Sequence, residues 1–358
     1  MPHVYSRTAY VRAAFLAAAF ALGPDARAQD LHFSLLDLVP TWVNPALTGA
    51  YEGTARVGGL YRDQNIAAGN SRAYQTPAVY VDAPLLMLGK KGWLGVGGTL
   101  IQDNAGLARL NTTWAQGAAS YHYIVSESAR RSQRTVLSFG LQGGVLSRSA
   151  DLSSDAIILQ EEQETALGGG GLGAGGGVER QGDNLNASGF DLGFGVSLAR
   201  RLDAERTLRF GAAARHLVTP DYALVAQDAN RPTTISLQAA YAQVLGEEYL
   251  IEPQAFAQTT GGGFFAAQVQ GTVGKYFGDD RRRLVKAGLG VRLPARFVYP
   301  MVGFEVGDLK LAAAFDISAN QLQTNAEGFQ RGFEIGAQYV IKIYKEPEVE
   351  RVILCPQI

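Results

Sequence analysis

Nucleophilic or acid–base chemistry needs a serine or cysteine, a histidine and a carboxylate within hydrogen-bond reach of one another. In this 358-residue sequence, four histidines and one cysteine would have to supply most of that machinery. His32, His122 and His216 lie far apart in sequence. One tight spacing exists, Ser120 and His122. Two residues apart on a strand, both side chains share one face. A lipase built into a membrane barrel would need such a pair at a lipid-facing rim, and the alternation points these two inward instead. Cys355 alone forms no internal disulfide, and no CxxC or HExxH pattern occurs, so no metal site is expected. The run Gly168–Gly177 mimics phosphate-binding spacing, but no Lys-Ser or Lys-Thr follows it, and it reads as surface loop. The sequence therefore predicts a protein that is not an enzyme, with no catalytic residue, cofactor or metal. A net charge of −1 gives no field that would attract nucleic acid.

Strands must position whatever this chain does. Val285, Ala287, Leu289, Val291 and Leu293 alternate with Lys286, Gly288, Gly290 and Arg292. Phe190, Leu192, Phe194, Val196 and Leu198 alternate with Asp191, Gly193, Gly195 and Ser197. The same period of two recurs around 138–145, 309–317 and 333–342. One face is bulky and apolar; the other carries Gly, Ser, Gln and isolated charges. A soluble sandwich would show water many long charged side chains. Small polar residues fit the inside of a barrel, where side chains from all strands converge. The 43 glycines suit curved, closely packed strands.

The pattern predicts an all-β fold, a transmembrane antiparallel β-barrel of about fourteen strands, at 53–62, 72–82, 92–102, 112–123, 134–146, 187–199, 207–216, 233–243, 248–257, 264–277, 284–293, 297–306, 308–318 and 331–343. Pro77, Pro253 and Pro300 fall inside these runs and are expected to mark bulges or strand ends. Connections at 200–206, 244–247, 278–283 and 307 are short, while 147–186, 217–232 and 319–330 are long. Short periplasmic turns and long outer loops put both termini in the periplasm. Tyr121, Tyr123, Tyr241, Tyr249, Phe277 and Tyr339 then form an aromatic girdle near the short turns.

Arg7 and Arg12 precede an apolar run from Ala13 to Leu22, and Ala26-Arg27-Ala28 offers a signal-peptidase site. The expected division is signal peptide 1–28, periplasmic or plug segment 29–52, barrel 53–343 and periplasmic tail 344–358. Gln29 follows the cleavage site, so no lipoprotein anchor is expected. Arg62, Asp82, Asp191, Arg215, Arg292, Glu305, Asp316 and Glu334 fall on the lumen face. Buried charges need partners, so bracing across the interior is favoured over a conducting path. Asn44-Pro45 favours a turn before the first strand, either a shaped entry or part of a segment that docks a partner.

Several blocks carry a family resemblance: Gln29-Asp30-Leu31-His32-Phe33-Ser34; Asn44-Pro45-Ala46-Leu47-Thr48-Gly49; Tyr61-Arg62-Asp63-Gln64; Tyr74-Gln75-Thr76; Val81-Asp82-Ala83-Pro84-Leu85; Leu94-Gly95-Val96-Gly97-Gly98; Asp103-Asn104-Ala105-Gly106; Ser120-Tyr121-His122; Phe315-Asp316; Gly332-Phe333-Glu334-Ile335; and Cys355-Pro356. Their order resembles the PorP/SprF family of the Bacteroidota type IX secretion system across nearly the whole mature chain. Asn65 stands where members usually carry Trp, and Gln357-Ile358 replaces the usual Arg-aromatic ending. The resemblance implies an outer-membrane barrel that helps export or anchor large surface proteins, such as gliding adhesins. It implies as partners outer-membrane lipids, a secreted adhesin, and a periplasmic ring lipoprotein or peptidoglycan-binding component. The main alternative is a passive channel or small-molecule transporter.

Overall fold

The computed structural model describes residues 31–64, 74–105, 110–150, 185–218, 231–246, 248–261, 263–278, 282–294, 297–318 and 331–343. The expected signal peptide, the Gly-rich loop and the tail from 344 lie outside these residues. Fourteen antiparallel strands close into one barrel. They are β1 (Ala55–Gln64), β2 (Tyr74–Leu88), β3 (Gly92–Ala105), β4 (Leu110–Ser128), β5 (Gln133–Ala150), β6 (Leu185–Arg201) and β7 (Arg206–Arg215), then β8 (Thr234–Leu245), β9 (Tyr249–Thr260), β10 (Phe265–Phe277), β11 (Arg283–Leu293), β12 (Phe297–Val306), β13 (Leu309–Ser318) and β14 (Arg331–Ile341). Each strand pairs with its sequence neighbours, and β14 returns to β1 with Arg62 directly opposite Glu334. No described helix is long and apolar enough to cross a membrane.

Period two sets the two faces of the wall. On β11, Leu289 is 55% exposed on the outside, while Arg292 is 2% exposed inside. Val79, Leu141, Phe190, Val273, Val302 and Ile335 likewise present bare apolar side chains outward. Such a continuous apolar exterior is stable against acyl chains, not water. Tyr121, Tyr123, Tyr249, Phe277 and Tyr339 are exposed on that exterior near the end that carries the short turns. Tyr241 is half-buried, its hydroxyl donating to Gln243 Oε1 at 2.8 Å.

Several strands run longer than the alternation alone suggests, most of all β2, which continues to Leu88, and β4, to Ser128, with β3 and β5 also extended to Ala105 and Ala150. Register shifts occur at Pro84/Leu86 and Ile124/Ser126. The three strand prolines do not mark bulges or ends, correcting that expectation. Pro77, Pro253 and Pro300 keep partners on one side, in Tyr61, Gly271 and Leu289. The opposite ladder is interrupted at each, without a change of register. A strand residue directs its N–H and C=O to the same neighbour, so proline disturbs one ladder and spares the other.

The barrel is not hollow. The segment before β1 lies inside it, as a 3₁₀ turn Leu36–Leu38, a helical turn α1 (Pro40–Val43) and a second 3₁₀ turn Pro45–Leu47. Phe33, Leu35, Leu38, Val39, Trp42 and Val43 form one buried cluster with Leu60, Ile101, Trp114, Leu146, Phe256, Tyr299 and Met301 of the wall. Each such side chain contributes about 1.5–3 kcal/mol by leaving water. Those inward apolar side chains of the wall, set among otherwise small and polar lumen residues, need an apolar partner, and this segment supplies it.

Candidate functional site

The segment 33–49 is fastened to the wall at both ends and in the middle. At the end of the barrel carrying the long connections, Arg62, Arg292, Asp316 and Glu334 converge on Ser34. Glu334 accepts from the Ser34 amide at 2.8 Å and the Leu35 amide at 2.9 Å. Ser34 Oγ donates to Asp316 at 3.0 Å and accepts from Arg292 at 2.5 Å. Arg62 pairs with Glu334 at 3.1 Å and Asp316 at 3.0 Å, and also donates to the His32 carbonyl. Arg292 reaches Asp316 at 3.2 Å. Two cations and two carboxylates balance, and the backbone of the plug takes up the remaining acceptor capacity, which is what buried charge requires.

In the middle, Asn44 caps the second 3₁₀ turn by accepting from Ala46 N at 2.9 Å. Its amide nitrogen donates to the carbonyls of Val196 and Ala212 at 3.0 and 3.2 Å. Pro45 lies against the wall where Gly140 and Gly195 leave room: a Cβ on Gly140 would stand 2.3 Å from the backbone of Pro45 and Ala46. The Arg215 guanidinium sits 4.4 Å over the Trp42 ring, and Trp42 meets Trp114 edge-on at 5.6 Å.

At the short-turn end, Asp82 takes a two-pronged contact from Arg56, Nε to Oδ1 at 2.9 Å and Nη2 to Oδ2 at 2.7 Å. Asp82 also accepts from the Gly49 amide at 2.6 Å, and Arg56 donates to the Leu47 carbonyl at 3.2 Å. Gly49 adopts φ +66°, and a Cβ there would approach Gly95 Cα to 2.7 Å, so glycine is needed. Ser120 and His122 both lean on the Thr48 carbonyl, at 2.5 and 2.8 Å, and His122 Nδ1 meets Ser138 Oγ at 2.7 Å. The Ser–His pair thus faces the lumen, capped by the plug, as its spacing predicted.

The lumen charges named from parity all point inward, and each has company. Asp191 meets His216 at 3.0 Å, and Glu305 meets Lys286 at 2.7 Å; Lys286 also reaches Glu252 at 3.0 Å. A cavity of about 290 Å³ lies beside the plug on the Asp37, Arg209 and Lys310 side. Burial pushes the Asp37 carboxyl up, but Lys286, Arg209, the Gln254 amide and Lys310 outweigh it and hold the group below its ordinary value.

The remaining motif residues fall elsewhere. Tyr61 and Asp63 lie on the outer face, hydroxyl to carboxylate at 3.3 Å, with the Tyr61 ring 5.9 Å from that of Phe333 and tilted by 47°. Gln64, with its amide oxygen turned to Arg62, lies within 2.6 Å of that guanidinium. Asp103 accepts from Thr76 at 2.6 Å on the lumen face. Pro84 sits at the β2 register shift. Gly106, Cys355 and Pro356 lie outside the described residues. Sequence reasoning did not single out Arg56 or Ser34 as anchors. Arg56 shares parity with Arg62, six residues on, and that signal could have found it; nothing local marks Ser34. Among the described residues, no cluster that could hold a metal ion is present.

No curated protein matches the chain. Solved structures similar to it include a monoaromatic hydrocarbon channel, CymD, at 11% identity over 86% of this chain and 94% of that chain, with TM-score 0.49. The toluene transporter TbuX of Ralstonia pickettii is similar at 11% identity over 85% and 94%, TM-score 0.43. The toluene transporter TodX of Pseudomonas putida follows at 13% over 86% and 93%, TM-score 0.43. The model of the type IX secretion system membrane protein family PorP/SprF matches residues 26–339. With nearly its whole length matched, and as a closed barrel with an apolar exterior, the chain belongs to the PorP/SprF family of type IX secretion system membrane proteins.

Proposed function

We propose that the protein is a plugged outer-membrane barrel without catalytic activity, which binds protein partners at its rims to export or anchor surface proteins. The short-turn end faces the periplasm and meets a ring lipoprotein or peptidoglycan-binding component. The long-connection end faces outward, toward a secreted protein such as a gliding adhesin. A signal peptide carries the chain across the inner membrane. The observation that supports a platform over a pore is the anchored segment 33–49, which fills the lumen and is tied to strands around the wall.

Deleting the gene should abolish surface display of one adhesin while other outer-membrane proteins stay in place, and the adhesin or a periplasmic ring component should co-purify with the tagged barrel. Normal display in the deletion strain sinks the secretion reading. In planar bilayers the purified protein should show no steady open level; a constant open conductance would favour a channel.

A further inference from the structure

The short-turn end of the barrel is not evenly charged. On its β10–β14 side, cations have close partners: Lys275 pairs with Glu248 at 3.3 Å and Lys342 with Asp308 at 2.5 Å. The sector from β2 to β6 is different. Lys90 and Lys91 sit in the β2–β3 connection, Arg130 and Arg131 in the β4–β5 connection, and all four are exposed. Among the described residues, none forms a hydrogen bond or ion pair with these four side chains. The Lys91 carbonyl accepts from the Ile124 amide at 2.7 Å, which holds the first turn against β4, the strand that leads into the second.

Two more cations stand just inside the rim. Arg134 of β5 lies directly opposite Arg201 of β6. Like charges directly opposite destabilise a ladder, and an anion beside them removes the penalty. The carboxylates within reach are loosely placed: Glu127 stands 3.9 Å from Arg134 Nε, and Glu52 stands 4.0 Å from Arg201 Nη2. Both separations exceed a hydrogen bond, and Arg134 Nε is a buried donor with no acceptor.

The position of this pair decides which anion fits. Arg134 and Arg201 share parity with the lumen-facing Ser138 and Ser197. The Arg134 guanidinium lies 5.5 Å over the ring of Trp93, whose indole donates to the Gly49 carbonyl of the plug at 3.0 Å. Lipid headgroups border the outside of the wall, so these two cations meet whatever stands below the lumen. A single small ion would serve one pair. Cations spread from the inner rim across two neighbouring turns suit several carboxylates carried on one chain. Given the orientation proposed above, on which this rests, we propose that the β2–β6 sector of the periplasmic rim docks an acidic segment of a periplasmic protein. The Asp and Glu side chains of that segment close the ion pairs that the barrel leaves open. Contact of this kind weakens with salt and speeds association as much as it adds affinity.

The full chain in phosphatidylcholine nanodiscs would be titrated with a labelled oligoglutamate peptide. Arg134→Gln/Arg201→Gln and, separately, Lys90→Gln/Lys91→Gln should each weaken binding at least about tenfold, while Lys275→Gln/Lys342→Gln, which removes the same charge from the paired side, should change it less than about threefold. No binding by the unsubstituted chain, or equal weakening in all three variants, overturns the proposal. Co-purifying lipids test the competing occupant: phosphatidylglycerol enriched on the unsubstituted chain and lost from Lys90→Gln/Lys91→Gln assigns the cations to headgroups and overturns it. In cells, a photo-crosslinker in place of Ser128 should link to a periplasmic protein at a peptide rich in Asp and Glu; a link to a peptide without them, or no link, overturns it. The nanodisc titration needs no secretion apparatus. Normal adhesin display in the deletion strain would therefore sink the secretion reading and leave the oligoglutamate result standing, whereas lost display with sector-independent binding would sink the docking sector alone.

Discussion

Glu334→Ala should loosen the plug without opening the barrel wall. In the native lumen the carboxylate is nearly fully buried, pairs with Arg62, and accepts from two plug amides. Removing one partner of a buried ion pair costs about 3–5 kcal/mol, and the lower end applies because Arg62 keeps Asp316 at 3.0 Å. The amides of Ser34 and Leu35 lose their acceptor, at about 1 kcal/mol each once water enters. The combined loss is about 5 kcal/mol, or about 10³–10⁴ in the population of the released segment. A reporter at Val39, 1% exposed and close in size to cysteine, can read that population. In a Cys355→Ser background, Val39→Cys should react with a small thiol reagent about 10³–10⁴ times faster when Glu334→Ala is added. Heat-modifiability on gels should show the barrel still folded. A labelling rate unchanged within about tenfold would refute the idea that Glu334 holds the plug.

Arg56→Lys should lose the two-pronged grip on Asp82 and lower thermal stability by about 1–2 kcal/mol, measured by the gel-shift midpoint. Gly140→Ala should cost about 1–3 kcal/mol or displace the plug, because its methyl would meet the backbone of Pro45 and Ala46; Gly271→Ala, with nothing within 4 Å, should be neutral in the same assay. Asp37 sits below its ordinary value, so its stabilising contribution is complete above the unfolded aspartate value of about 3.9 and fades as pH falls through the still lower folded value. The gel-shift midpoint should therefore be insensitive to this group from about pH 8 to 5 and fall only in stronger acid, and Asp37→Asn should lessen that acid loss.

The barrel was legible because period-two alternation is local: several runs, such as 187–199 and 284–293, carry their own signal, and each of the fourteen expected runs overlaps a strand. Strand ends were less so, since Leu85–Leu88 break the alternation just where β2 outruns β1. The strand prolines misled because their effect depends on which neighbour loses a bond, a property of the assembled ladder. Parity placed Arg62, Asp316 and Glu334 inside, but their shared partner Ser34 lies about 300 positions away from Glu334 and no spacing announces it. For residues 29–52, a shaped entry and a docking segment read equally well, because only a closed wall decides what an apolar segment packs against.

Arg62 and Glu334 face each other across the joint where the first strand meets the last, and the same carboxylate holds Ser34. The joint that closes the cylinder therefore also holds the outer end of its stopper. Contacts from Asp82, Ser120 and the Val196 carbonyl already hold its inner end and middle, and the lock on Ser34 is added only with the final strand. A chain cut short before Glu334 would lack both the clasp and the bolt.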